Sequence, residues 1–197
     1  MSEAPYHHGN LATTMLDAAH AMLEHLPAEK IGLREIARQL GVSASASYRH
    51  FGSREALMAA LAARGFRQLS TELDRAAGLP GDTPALQRLG HAYVRFALAN
   101  RNLFDLMMRH PRDGTSPDLE ASSAEAFSRL SAAISGLTGT YQREATVGAW
   151  ALVHGLAILI SDRQLAEDLM QGDTLDRLVE VTTATYLAGL TSSAQTS

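Results

Sequence analysis

The chain contains no cysteine, which excludes disulfide scaffolds, thiolate metal centres and cysteine nucleophiles. Strand signals are equally scarce. No run of alternating β-branched residues occurs, and alanine and leucine dominate, so sheet architectures are set aside. An excess of positive charge is missing too. Net charge is −4, and the first 55 residues hold five Lys/Arg (Lys30, Arg34, Arg38, Arg49, Arg54) against six Asp/Glu. Any nucleic-acid contact must therefore come from a few well-placed donors, because the bulk field gives no help. The start, Met1 to His8, lacks the charged-then-apolar pattern of a secretion signal. The most apolar window, Ala145 to Ile160, contains His154 and is flanked by Arg143, Asp162 and Arg163. That predicts a buried helix of a cytoplasmic protein with no membrane contact. No His-x-x-x-His, Glu-x-x-His or nucleophile elbow is found, so no catalytic residue, metal or cofactor is expected.

What is present is helical periodicity. Hydrophobic residues make up 46% of the chain and charged residues 19%, a globular balance. Leu11, Met15, Ala18, Ala19, Met22 and Leu26 form one stripe, with Asn10 as N-cap and Pro27 as stop. A second short helix carries Leu33, Ile36, Ala37 and Leu40, and a third runs from about Ala44 to Phe51. A fourth, capped by Ser53, fades at Gly78-Leu79-Pro80-Gly81, which reads as a bend. Further helical stripes follow. They carry Leu86 to Ala97, Leu103 to Met108, Leu119 to Leu137, Gln142 to Ile160, and Leu175, Leu178, Val179, Thr182, Tyr186 and Leu190.

The segment Leu33 to Phe51 has the spacing of a helix-turn-helix. Ala37 supplies the small residue at the crossing, Gly41 the turn, Val42 a corner plug and Ser43 a cap for the next helix. On that helix the short Ala44, Ser45, Ala46 and Ser47 allow close backbone approach to a major groove. Tyr48 and His50 carry donors that reach phosphate, Arg49 one that reaches guanine, and Arg54 adds a phosphate contact at the next helix N-terminus. From these residues alone an ordinary helical hairpin, used for protein contact or in a small helical enzyme, stays open beside DNA binding.

The motifs Tyr6-His-His-Gly-Asn-Leu11, Leu33-Arg-Glu-Ile-Ala37, Gly41-Val-Ser43, Tyr48-Arg-His-Phe51 and Ser53-Arg-Glu-Ala-Leu57 resemble those of the TetR/AcrR regulators. The resemblance covers about the first sixty residues. It implies an all-α dimer whose N-terminal three-helix helix-turn-helix domain (1–55) is joined by a connecting helix to a larger helical ligand-binding and dimerisation domain (56–197). It also implies double-stranded DNA with a near-palindromic operator as one partner and a small, largely apolar molecule, whose binding releases DNA, as another. By this resemblance Tyr48, His50 and Arg54 look like phosphate-contacting positions, and Arg34, Ala44, Ser45, Ala46 and Arg49 like base-facing ones. Three departures stand out. Gly32 replaces the usual Ser/Thr cap of the second helix, Ser47 a usually apolar residue that can pack loosely or face DNA, and Arg54 the common lysine.

Trp150-Ala-Leu-Val-His154-Gly155 resembles a Trp-x-x-x-His-Gly signature of one subgroup. Trp150 and His154 share a helix face, and Gly148, Ala151 and Gly155 form a small-residue stripe open to a neighbouring helix. His154 is either a hydrogen-bonded core histidine or a polar handle on a pocket wall. Tyr93, Phe96, Asn100, Phe104, Met107 and Met108, with His110, complete an aromatic and methionine-rich candidate lining. The same stripe also serves as plain core. The last two helices look like the family's dimer interface, with the stripe Leu175 to Tyr186 facing the second subunit.

Overall fold

The helical periodicity is realised as nine α-helices among the residues that the computed structural model describes, 11–135, 141–170 and 172–194. They are α1 (Leu11–Leu23), α2 (Leu33–Gln39), α3 (Ala44–His50), α4 (Arg54–Ala77), α5 (Ala85–Ala99), α6 (Arg101–Arg109), α7 (Pro117–Ala133), α8 (Gln142–Ser161) and α9 (Gly172–Ala194). The motif Tyr6 to Asn10, with the expected cap Asn10, and Leu137 lie outside the described residues. Two short 3-10 turns, Ala28–Lys30 and Glu167–Met170, were not expected. Pro27 does not stop α1, which ends four residues earlier; it stands at the entry to the first of these turns.

The chain divides into two compact units, Met1–Gly65 with Asn102–Glu120, and Phe66–Arg101 with Ala121–Ser197. In the first, α1 buries Leu11, Met15, Ala19 and Leu23, and α2 buries Leu33, Ile36 and Ala37. Gly41 makes the turn between α2 and α3 at φ +67°, in the left-handed region where a Cβ is penalised. α6 belongs to this unit through two contacts. The Asn102 amide donates to the Leu23 carbonyl (2.8 Å), one of the carbonyls α1 leaves unpaired at its end. Gly65 on α4 meets the fully buried Met107 so closely that a Cβ would stand 2.5 Å from its sulfur.

In the second unit α5 packs on α8 and α9. Gly148 admits Tyr186, whose hydroxyl donates to the Ala145 carbonyl at 2.8 Å. Of the small-residue stripe on α8, Gly148 is thus filled, whereas nothing lies within 4 Å of a Cβ on Gly155. Arg88 closes the end of α4 by donating to the carbonyls of Ala76 and Ala77, both at 3.0 Å. Arg129 of α7 grips Asp74 through two bonds of 2.9 and 2.8 Å. α8 is long and apolar enough to cross a membrane by length and composition, yet it buries Ala145, Ala149, Val153, Leu156, Ala157 and Ile160 in this unit. That is the pattern of a core helix.

Two histidines make the first unit sensitive to acid. Burial, then the Arg64 charge, lowers the pKa of His20, whose Nδ1 is buried without a partner among the described residues. Glu24 and Asp17 oppose that shift. Burial likewise lowers His110, helped by Arg112 and opposed by Asp113 and Glu55. Both folded values lie below the unfolded one, so the neutral imidazoles stabilise the fold fully above about pH 6.5. That stability is lost as pH falls below the unfolded value. A thermal melt of the protein is expected at lower temperature at pH 5.5 than at pH 7.5, with less of the difference in a His20→Gln variant.

Candidate nucleic-acid interface and ligand site

α3 is positioned by its ends. The Ser43 hydroxyl accepts from the Ala46 amide (3.2 Å) and lies 3.0 Å from the Ser45 hydroxyl. The capping role expected for Ser43 is realised, while Gly32, ahead of α2, gives no side-chain cap. Ala44, Ser45, Tyr48, Arg49 and His50 are exposed and Ala46 is half-buried. Arg34 of α2 is exposed as well, and Arg38 is paired with Glu35. The free face of α3 therefore carries hydroxyls first, then a phenol, a guanidinium and an imidazole. Such a face offers donors to phosphates and base edges.

Two expected contacts require correction. Ser47 does not face outward. It is fully buried, and its hydroxyl donates to the Ala44 carbonyl at 2.7 Å. A serine takes an apolar position by bonding back to its own helix. Replacing Ser47 by alanine is expected to leave DNA affinity unchanged and stability within about 1 kcal/mol, because the carbonyl keeps its helical partner. Chemical denaturation beside a mobility-shift titration measures both.

Arg54, expected on phosphate, is half-buried and turned inward. Its Nε donates to the Ile31 carbonyl (2.9 Å) and a terminal nitrogen to the Ala28 carbonyl (2.5 Å). It thus clamps the 3-10 turn before α2 to the start of α4. Sequence reasoning missed this because the carbonyl partners lie more than twenty residues away. Arg54→Met should lower unfolding free energy by about 1.5–3 kcal/mol, the range for bonds to a charged group. It should weaken binding to all duplexes alike, whereas a pure phosphate contact would leave stability unchanged.

The candidate ligand residues fall in both units. Phe104, Met107 and Met108 belong to the first unit, with Phe104 and Met107 in its core. Phe96 and Asn100 line a cavity of about 580 Å³ in the second unit, together with Arg75, Arg88 and Arg95. Glu72, paired with Arg75 at 2.6 Å, and the apolar Ala76, Leu79 and Ala92 line it as well. Tyr93, Trp150 and His154 are brought together. The Trp150 indole donates to the Tyr93 hydroxyl (3.3 Å), which lies 3.1 Å from His154 Nδ1. The Trp150 and His154 rings stand 5.7 Å apart, and Phe127, which sequence reasoning left out, packs edge-on to Trp150 at 6.1 Å. Indole can only donate. The Tyr93 hydroxyl therefore accepts from Trp150, and the His154 tautomer sets which of the hydroxyl and Nδ1 donates to the other. Tyr93 is buried, while Trp150 and His154 are half-buried.

Residues 15–61 match the family model of bacterial regulatory proteins of the tetR family, and residues 86–186 match that of the tetracyclin repressor-like C-terminal domain. The chain belongs to the TetR family. As a TetR-family protein it is a DNA-binding transcription regulator, and the all-α fold with an N-terminal helix-turn-helix follows. Similar proteins agree. The uncharacterised HTH-type transcriptional regulator YobS of Bacillus subtilis is 24% identical, with 89% of this chain and 90% of that protein covered. A second such regulator, Rv0681 of Mycobacterium tuberculosis, is 27% identical over 74% of this chain and 68% of its own length. The structure of a protein of unknown function from Rhodococcus sp. RHA1 superimposes with a TM-score of 0.81 at 30% identity. It covers 96% of this chain and all of its own. The TetR-family reading also accounts for the exposed face of α3.

Proposed function

We propose that this TetR-family regulator is a homodimeric repressor of the subgroup marked by Trp150-x-x-x-His154-Gly155. It binds a near-palindromic operator and leaves it when a small, largely apolar molecule binds the second unit. Residues 1–55 act as the reading domain and 56–197 as the ligand-binding and dimerisation domain, in the cytoplasm and without catalysis. The exposed face of α3 carries the DNA half of this reading, with Ser45 and Arg49 on base edges and Tyr48 and His50 on phosphates. The Tyr93–Trp150–His154 cluster with Phe127 supports the ligand half. It joins half-buried aromatic surface to a histidine hydrogen-bonded through Nδ1, an apolar wall with one polar handle. α4 has its N-terminal half in the first unit and its C-terminal half in the second, so it is the covalent route along which a bound molecule biases the reading helix. Only a difference in ligand affinity between the two states can drive release.

On the α9 stripe Val179 is buried and Tyr186 packs on the core of its own subunit, while Leu175, Leu178 and Thr182 stay half-exposed and suit a partner's helix. Val147, Ala151 and Leu159 are exposed at four-residue spacing on α8, with the open Gly155 between them, and Val181 is exposed on α9. This face suits a second copy, since small residues let helices approach. Sedimentation of the protein should give a dimer, and Gly155→Leu should shift it toward monomer. A thermal-shift screen of apolar metabolites and antibiotics, followed by operator release, tests the ligand half. A strictly monomeric protein, or hits that never release DNA, would refute the respective half.

A further inference from the structure

The last turn of α8 carries features that neither DNA reading nor the aromatic cluster uses, and they converge on one cavity. This space, about 390 Å³, lies in the second unit at the C-terminal ends of α5 and α8 and the start of α9. Its size is within the range of small-molecule sites. Ser161 lines it through atoms other than its hydroxyl, which is shut away from the open space.

Arg163 lines the same cavity and holds φ at +53°. The other positive φ values among the described residues belong to Gly41, Gly81 and Gly114. The bonds Arg163 N–H to the Ile160 carbonyl (3.1 Å) and Gln164 N–H to the Leu159 carbonyl (2.9 Å) close α8 in a turn where glycine is the favoured residue. The closure explains the turn but not the arginine. The Arg163 guanidinium and the Glu167 carboxylate both line the cavity, and neither has an ion-pair partner among the described residues. Arg101, by contrast, is neutralised by Asp162 at 3.0 Å. The wall thus presents one cation and one anion held apart, with Leu98, Ile160, Met170 and Leu175 supplying apolar surface.

We propose that this cavity binds a free apolar α-amino acid. The carboxylate meets Arg163, the ammonium meets Glu167, and the side chain lies against the four apolar residues. A plain carboxylic acid would be repelled by Glu167, and a plain amine by Arg163, so both are selected against. Calorimetric titration of the full-length protein with L-leucine, L-isoleucine, L-valine, L-methionine and L-phenylalanine, each alone, tests this. At least one should bind once per chain with a Kd between about 1 μM and 1 mM. The matching acid without the amino group, and the amine without the carboxylate, should bind at least about tenfold more weakly. Arg163→Gly is the decisive variant. Glycine suits the left-handed turn, so its melting temperature should equal or exceed that of the parent, while amino-acid binding falls at least about tenfold. Glu167→Gln should weaken binding too. No heat from any of the five at about 10 mM, undiminished binding by Arg163→Gly, or equal binding of the acid or amine would overturn the proposal.

Discussion

Arg49→Ala is expected to lower operator affinity by about 1–3 kcal/mol per half-site, as for an arginine on a base edge. Two half-sites double that, giving roughly a 30-fold to more than 10,000-fold loss. The loss should be accompanied by relaxed preference at one symmetric pair of positions. The basis is placement: Arg49 is exposed on α3, one residue beyond Tyr48, on the helix that Ser43 caps and the Gly41 turn aims. Tyr48→Phe removes a neutral donor and should weaken all duplexes alike, with sequence preference and salt dependence intact. Mobility-shift titrations against the best duplex and single-position variants separate the two patterns. Uniform losses for both substitutions would remove Arg49 from the bases.

Tyr93→Phe carries the second large effect. The hydroxyl joins the Trp150 indole (3.3 Å) to His154 Nδ1 (3.1 Å). Deleting it from a buried ring strips both bonds at once, at a cost of about 1–3 kcal/mol. A chain of this length then melts several degrees lower. Loss of the hydroxyl also removes the bond at His154 Nδ1, visible as a change in the imidazole 15N shifts. An apolar molecule that releases the parent protein from DNA should lose potency on the variant. A drop in stability with unchanged potency would leave these residues as core, the alternative that sequence reasoning kept open for His154.

Element placement was legible because periodicity, caps and breakers agreed: Ser43 and Ser53 cap helices as expected, and α4 ends ahead of Gly78. Local spacing also placed the exposed residues of α3. What escaped was everything set by distant partners. Arg54 looked like a phosphate ligand because charge at a helix start is informative, yet its carbonyl partners sit in a 3-10 turn more than twenty residues upstream. Ser47 looked polar and therefore outward, but a serine that bonds its own helix backbone can be buried whole. Spacing alone also did not show that the ligand candidates fall in two units, Tyr93, Phe96 and Asn100 in one and Phe104, Met107 and Met108 in the other. Likewise the apolar stripe of α9 could not reveal which of its residues the subunit's own core consumes.

The charge balance of the reading domain gives the account its sharpest constraint, since a neutral domain cannot hold DNA by field alone. Selection from a randomised duplex library with the full-length protein at low salt tests it most directly. The expected result is enrichment of one two-fold-symmetric sequence, its half-sites about one helical turn apart, that Arg49→Ala no longer selects. Recovery of an unenriched pool, or equal enrichment by Arg49→Ala, would contradict it.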